Sequence, residues 1–320
     1  MALIQFPNLM IGHATDLNGP TGCTVILCPQ GAVAGIDIRG SASGTRQTDS
    51  LFSLHRVPRI HGLLFSGGSA FGLDAAGGVM QYLEERGIGF DVRITRIPIV
   101  PTAILFDLSL GDPFCRPDKA MGYQACLNAS ADEVVEGSVG AGTGASVGKL
   151  FGITQATKGG LGYAAVQASG GLTVAALVVV NAFGDVLDEQ GKIMAGARVS
   201  PSGKTFADTW ESFKQGIIPT HFVVQNNTTL GVILTNAGLN PYQTRKLAQM
   251  GQNALARSIA PVHTLFDGDT IFSLSLGDIE ADLNQIGILG QEMLQKATLQ
   301  AIRQADGLGL IPAWKDLAES

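Results

Sequence analysis

Charge is scarce in this sequence. Asp, Glu, Lys and Arg make up only 15% of its 320 residues, and the net charge of −6 comes without any local cluster of Lys and Arg. Nucleic acid would find no basic footprint here, so polyanionic partners are excluded. Cysteine is sparse too. Cys23, Cys28, Cys115 and Cys126 form no C-x-x-C pair, and a chain of this length needs no disulfide staples. The four read as small buried apolar residues. Residues 1–16 lack both the basic start and the long apolar core of a secretory signal. The most apolar stretch, residues 172–183, is short and interrupted by Thr173 and Asn181, so it does not read as a bilayer span. The expectation is a soluble cytoplasmic protein with no membrane partner.

Metal-ligand spacing is also missing. His13, His55, His61, His221 and His263 do not pair at zinc-binding intervals, so no metal is expected. No G-x-S-x-G elbow is present to carry a catalytic serine. The Gly-rich segment at residues 137–148, GSVGAGTGASVG, suggests a phosphate cradle. It fails the P-loop pattern, because Thr143 stands where the first Gly belongs and Lys149 is followed by Leu150. Nor does a clean βαβ unit with a following acidic residue mark a dinucleotide site. No organic cofactor is expected.

What is present is apolar mass and glycine. Hydrophobic residues make up 45% of the chain, enough for a large core. The 42 glycines follow no Gly-X-Y period and imply tight turns and close backbone approaches. Short β-branched runs at 24–27 and 33–38 read as two strands around a turn at 29–31. Residues 61–65 read as a strand, 97–104 as an edge or bulged strand because of Pro98 and Pro101, and 162–168 with 173–181 as a hairpin turning at Ser169-Gly170-Gly171. The 229–235 run reads as a buried strand and 269–276 as another. Helical periodicity appears after Ser69, with Gly87 as a C-terminal cap, and again at 119–128, 242–259 and 282–305. Residues 203–220 carry a weak pattern, and 216–219 reads as an exposed linker. Strands outnumber helices without strict alternation, which predicts an α+β fold of mixed layers.

One stretch stands out chemically: Gln225-Asn226-Asn227-Thr228-Thr229-Leu230 places a threonine where a polar loop enters a buried strand. Scission of the Asn227–Thr228 bond would give Thr228 a free α-amine beside its own hydroxyl. An α-amine titrates near about 8, so it can serve as general base for its own Oγ in place of a histidine. Asp267 and Asp269, two residues apart before the next strand, can orient that amine. They do not complete a calcium loop, since the distal Glu is missing. Asn181, ending an apolar strand, is a candidate amide donor to a developing oxyanion.

Beside them stand SGGSAFGLDAAGGVMQYLEERG, IPIVPTAILFDL, GSVGAGTGASVGK, NTTLGVILTNA and HTLFDGDTIF, five dispersed segments in one order. Together they resemble the L-aminopeptidase/D-esterase (DmpA) family, which also holds β-peptidyl aminopeptidases and the nylon-oligomer hydrolase NylC. The resemblance implies a layered αββα sandwich like that of N-terminal nucleophile hydrolases but differently connected, within a single domain. It implies self-cleavage into residues 1–227 and 228–320, and an amide-bond hydrolase acting on small peptides or oligoamides. It also implies homo-oligomers, tetramers or larger. Thr228 is then the nucleophile, Asn181 the family's active-site Asn, Lys158 the active-site Lys of the nylon-hydrolase branch, and Tyr123 an active-site Tyr. The Asn-Thr junction and the Asp267/Asp269 pair follow that branch, where peptidase members carry Ser and Glu at the two acidic positions. A nucleotide-binding enzyme or a non-catalytic scaffold would instead keep one intact chain.

Overall fold

The computed structural model describes residues 6, 8–52, 55, 57, 59–218 and 227–317. Readings that fall on residues 1–5, Pro219, His221, Gln225 and Asn226 lie outside these.

The architecture follows from strands that are apolar on both faces. Every residue of Thr173–Asn181 is buried. Successive side chains of a strand point to opposite faces, and here each face meets a different apolar cluster. Ala175, Leu177 and Val179 enter one, with Leu161, Val232, Leu234, Phe272 and Leu274 beside them and Ile26, Leu63 and Phe65 opposite. Val174, Ala176, Val178 and Val180 enter another, roofed by Leu247, Leu255, Leu294 and Ala297 from helices Pro241–Ser258 and Leu283–Arg303. A third cluster lies on the outer side of the other sheet. There Val79, Leu83, Ala125 and Cys126 of helices Ala75–Glu84 and Lys119–Leu127 cover Cys23, Val25, Leu27 and Leu64. Helix, sheet, sheet and helix thus stack around three apolar fillings, the αββα order. Each fully buried Leu, Val or Phe in these layers contributes about 1.5–3 kcal/mol of transfer free energy.

The ladder runs Gly160–Gln167, Thr173–Asn181, Thr228–Ala237, Thr270–Ile279, Thr21–Ile38, Arg59–Ser66, Thr102–Ile104 and Thr45–Arg46, with Met10–Asp16 added on Thr21–Ile38. Both sheets join one ladder because Thr21–Ile38 belongs to each. Its first half pairs with Met10–Asp16 and Arg59–Ser66, and its second half with Thr270–Ile279. The sequence reading of two strands and a turn is therefore corrected to one 18-residue strand. Its register slips between Leu27 and Ala32, a bulge that bends the strand without ending it, since both halves have partners. Gly35 lies where a Cβ would come 2.4 Å from the Arg245 nitrogen, so its missing side chain lets helix Pro241–Ser258 sit close to the sheet.

Two further readings change. Within 97–104, Thr102–Ile104 lies inside the sheet, parallel to Arg59–Ser66 and antiparallel to Thr45–Arg46. The prolines precede the paired residues and so cost no ladder bond. The weak pattern at 203–220 contains a helix, Thr209–Lys214, whose N-terminus is capped by Asp208 accepting from Glu211 N–H at 3.0 Å. The other helices start where expected. Asn240 and Gln243 form a reciprocal capping box, each side chain meeting the other's backbone N–H at 3.0 Å. No helix among the described residues is long and apolar enough to cross a membrane.

Candidate active site

Three strand ends meet at one place. Thr228 opens its strand and is the register partner of Asn181, which closes the antiparallel neighbour. On the other side Thr270–Ile279 runs parallel to Thr228–Ala237. The start of that strand, immediately after Asp267-Gly268-Asp269, therefore lies beside Thr228. Strand direction alone brings a hydroxyl, an amide and two carboxylates together, all from residues buried to 1% exposure or less.

The hydrogen bonds at this junction converge on a single carbonyl. Asn227 O accepts from Thr228 Oγ1 at 2.6 Å and from Gly268 N–H at 2.6 Å. Asn227 N–H donates to Phe266 O at 2.8 Å, so the residue is clamped against the 266–268 backbone. Gly268 is required by close approach. A Cβ there would lie 2.7 Å from Thr228 Oγ1 and 2.8 Å from Ala42 O.

Each carboxylate is held by donors. Asp269 Oδ1 accepts from Thr229 N–H at 2.8 Å, while its Oδ2 meets His263 Nδ1 at 2.9 Å and His263 N–H at 3.1 Å. Asp267 Oδ2 accepts from Thr264 Oγ1 at 2.6 Å and Thr264 N–H at 3.0 Å, and its Oδ1 from Phe183 N–H at 3.2 Å. Burial, and then the charge of Asp269 beside it, pushes Asp267 up to about 6.

Asn181 is oriented without ambiguity. Its Oδ1 faces two donors, Lys149 Nζ at 2.7 Å and Ser146 N–H at 3.0 Å. Only an oxygen can accept both, so the NH2 group lies at the other end and donates to Phe106 O at 3.0 Å.

Lys149 was missed by the motif reading, which meets it only as the last residue of the Gly-rich segment and rejects it as a P-loop lysine. Burial draws its pKa down to about 7, against the opposing pull of Asp267 and Asp107. Asp107 is a second omission. It is buried, accepting from Thr21 Oγ1 and Gly68 N–H at 2.7 Å each, and burial raises its pKa. Their signal in the sequence was a charged residue closing an otherwise apolar or Gly-rich motif, at the end of GSVGAGTGASVGK and in IPIVPTAILFDL.

Not every expected residue joins this group. Lys158 is buried nearby, but its Nζ donates to three backbone carbonyls, those of Gly142, Ala145 and Gly159. Tyr123 lies on the outer helix pair. Its hydroxyl donates to Glu85 at 2.7 Å and its ring packs edge-on against Tyr82 at 5.7 Å. Among the described residues no group of three or more His, Cys, Asp or Glu is placed to hold a metal ion.

Comparison with known proteins bears on what such a cluster does. Residues 2–307 match Peptidase family S58. An uncharacterized aminopeptidase of Mycobacterium leprae is 38% identical over 92% of this chain and 85% of its own length. A 6-aminohexanoate-oligomer endohydrolase of Agromyces sp. is 30% identical over 94% of this chain and 86% of its own. Among solved structures, the L-aminopeptidase D-Ala-esterase/amidase of Ochrobactrum anthropi, described as a variant of the Ntn hydrolase fold, superposes with a TM-score of 0.72 at 19% identity. It spans 98% of this chain and 90% of that one. A β-aminopeptidase of Burkholderia sp. gives a TM-score of 0.69 at 19% identity over 98% of this chain and 90% of that one. At these identities the structural likeness speaks for the fold.

Proposed function

From the premise that the chain belongs to peptidase family S58 and is an amide-bond hydrolase, we propose that it cuts itself before Thr228 and then uses Thr228 as an N-terminal nucleophile. The observation that carries this is the Asn227 carbonyl. Its oxygen accepts from the Thr228 hydroxyl and from Gly268 N–H, so the nucleophile lies beside the carbonyl it would attack and a donor already meets the oxygen where charge would develop.

In maturation Thr228 Oγ attacks the Asn227 carbonyl carbon, and Gly268 N–H supports the charge that develops on its oxygen. The C–N bond breaks, the hydroxyl proton passes to the departing nitrogen, and Asn227 becomes an ester on Thr228. Water hydrolyses that ester, leaving residues 1–227 with a new carboxylate and residues 228–320 with a new amine. The second piece has 320 − 227 = 93 residues.

In turnover the Thr228 amine takes the Oγ proton and Oγ attacks the amide carbonyl of a small peptide or oligoamide. Departure of Asn227 frees Gly268 N–H, which with the Asn181 amide then faces the substrate oxyanion. The leaving amine carries away the proton, and water resolves the acyl-enzyme. Asp269 sits one residue from the new amine through its bond to Thr229 N–H and orients it. Lys149, between Asn181 and the carboxylates, balances their charge.

Intact-mass spectrometry and a denaturing gel test the reading. The 33.3 kDa chain should resolve into two pieces ending at Asn227 and starting at Thr228. Full activity in a single uninterrupted chain would refute it.

A further inference from the structure

Lys158 stands outside the machinery above, yet it is fully buried. A buried ammonium is costly unless its protons are all used. Here they are: Nζ donates to Gly142 O at 3.1 Å, Ala145 O at 2.9 Å and Gly159 O at 2.8 Å. Three acceptors match the three protons of the charged form. Burial draws this lysine down to about 7, against the opposing pull of Asp107. Taken by themselves, these bonds pin the Gly-rich loop and nothing more.

One of the three carbonyls leads further. Ala145 C=O and Ser146 N–H are the two ends of one planar peptide group, and Ser146 N–H donates to Asn181 Oδ1. A cation on the carbonyl end withdraws electron density and makes the N–H at the other end a stronger donor, as in any polarised hydrogen-bond chain. Gly159 N–H adds a second donor to the same Ala145 oxygen at 2.9 Å. That loop segment is therefore held from the Lys158 side and holds Asn181 on the other.

We infer that Lys158 is a positioning residue that acts on Asn181 through the Ala145–Ser146 peptide. It keeps Oδ1 of the amide turned inward and the NH2 end available to the reacting carbonyl. The inference rests on the proposed role of Asn181 at the oxyanion. It separates the two buried lysines: Lys149 touches the amide directly, and Lys158 sets the peptide that the amide leans on.

The test is a double-mutant cycle on acylation, with p-nitrophenyl acetate as probe and the cleaved fraction of each protein as enzyme. Lys158→Met should slow the burst on the order of tenfold, within the span of coupling between bonded neighbours, with little change in KM. In an Asn181→Ala background the same change should cause no further loss. Factors that multiply in the double variant, or a wild-type burst in Lys158→Met, would overturn the inference. Should Lys158→Met fail to fold, the neutral Lys158→Gln serves in the same cycle with the same two outcomes. If the wild-type protein stays whole and takes no acetyl group on Thr228, the nucleophile reading has failed separately. Lys158 is then judged by crystal structures of wild type and variant. An Asn181 amide turned away from Ser146 in the variant supports the relay, and an unmoved amide defeats it.

Discussion

Lys149 and Lys158 both follow the Gly-rich segment at residues 137–148, both are buried, and burial draws both to about 7. Their surroundings nevertheless give them different work. Asp107 acts on both, but Lys149 also feels Asp267 and donates to the side-chain oxygen and the backbone oxygen of Asn181, whereas the Lys158 ammonium donates to three backbone oxygens. A buried cation is thus defined by its acceptors. Side-chain acceptors at converging strand ends link it to chemistry, while carbonyl acceptors in a loop make it a brace.

The comparison is broken most severely by removing what the Lys149 side is built around. Thr228→Ala should abolish both self-cleavage and amide hydrolysis, leaving one 33.3 kDa band and no turnover. Any two-piece product from that variant would show that the Lys149 cluster serves some other residue. Next comes the acceptor of Lys149. Asn181→Ala removes an oxyanion donor of a kind worth about 2.7–4 kcal/mol, so kcat should fall about a hundredfold or more with KM little changed. A loss confined to KM would place Asn181 in substrate binding instead.

Titration separates the cluster's own members. Asp267 has a folded pKa raised from 3.8 to about 6. As pH rises through 3.8 the unfolded chain releases this proton first. The contribution of Asp267 is therefore fully present below about 4 and lost by about 6. Lys149 is depressed from 10.5 to about 7, so its contribution is present above 10.5 and lost as pH falls through 7. Denaturant melts should show wild type losing stability relative to Asp267→Asn across pH 4 to 6, and gaining it relative to Lys149→Met from pH 7 upward. Flat differences in both windows would mean that neither group is titrating in the buried cluster. The smallest effect is expected at Tyr123, whose hydroxyl reaches Glu85 on the outer helices. Tyr123→Phe should leave the acylation rate within about twofold and cost little stability, as loss of an exposed hydrogen bond does. A large rate loss would require Tyr123 to reach the site.

Much of this was legible in the chain. The apolar run at 174–180 and the hairpin that contains it announce two paired strands, and Gly87, at positive φ, follows its helix where expected. Thr228, Asn181, Asp267 and Asp269 were each visible as polar residues at the end of a buried apolar run. Lys149 was not singled out, because a lysine after a Gly-rich segment first suggests phosphate, and that test fails on Leu150. Tyr123 and Lys158 were named through resemblance alone, and residue type carries no information about which way a helix face or an ammonium points.

The sequence by itself determined most of the long buried strands, which polar residues end them, and that the chain matches an amide-hydrolase family, because these depend on local pattern and on residue identity. The tertiary structure decided which residues share a site. Antiparallel pairing of Asn181 with Thr228, and parallel pairing that bridges Asn227 to Asp267 and continues from Leu230 with Thr270, bring those ends together. Only packing could assign one buried lysine to a side-chain amide and the other to three carbonyls, since an ammonium in the interior must take whatever acceptors the folded backbone supplies.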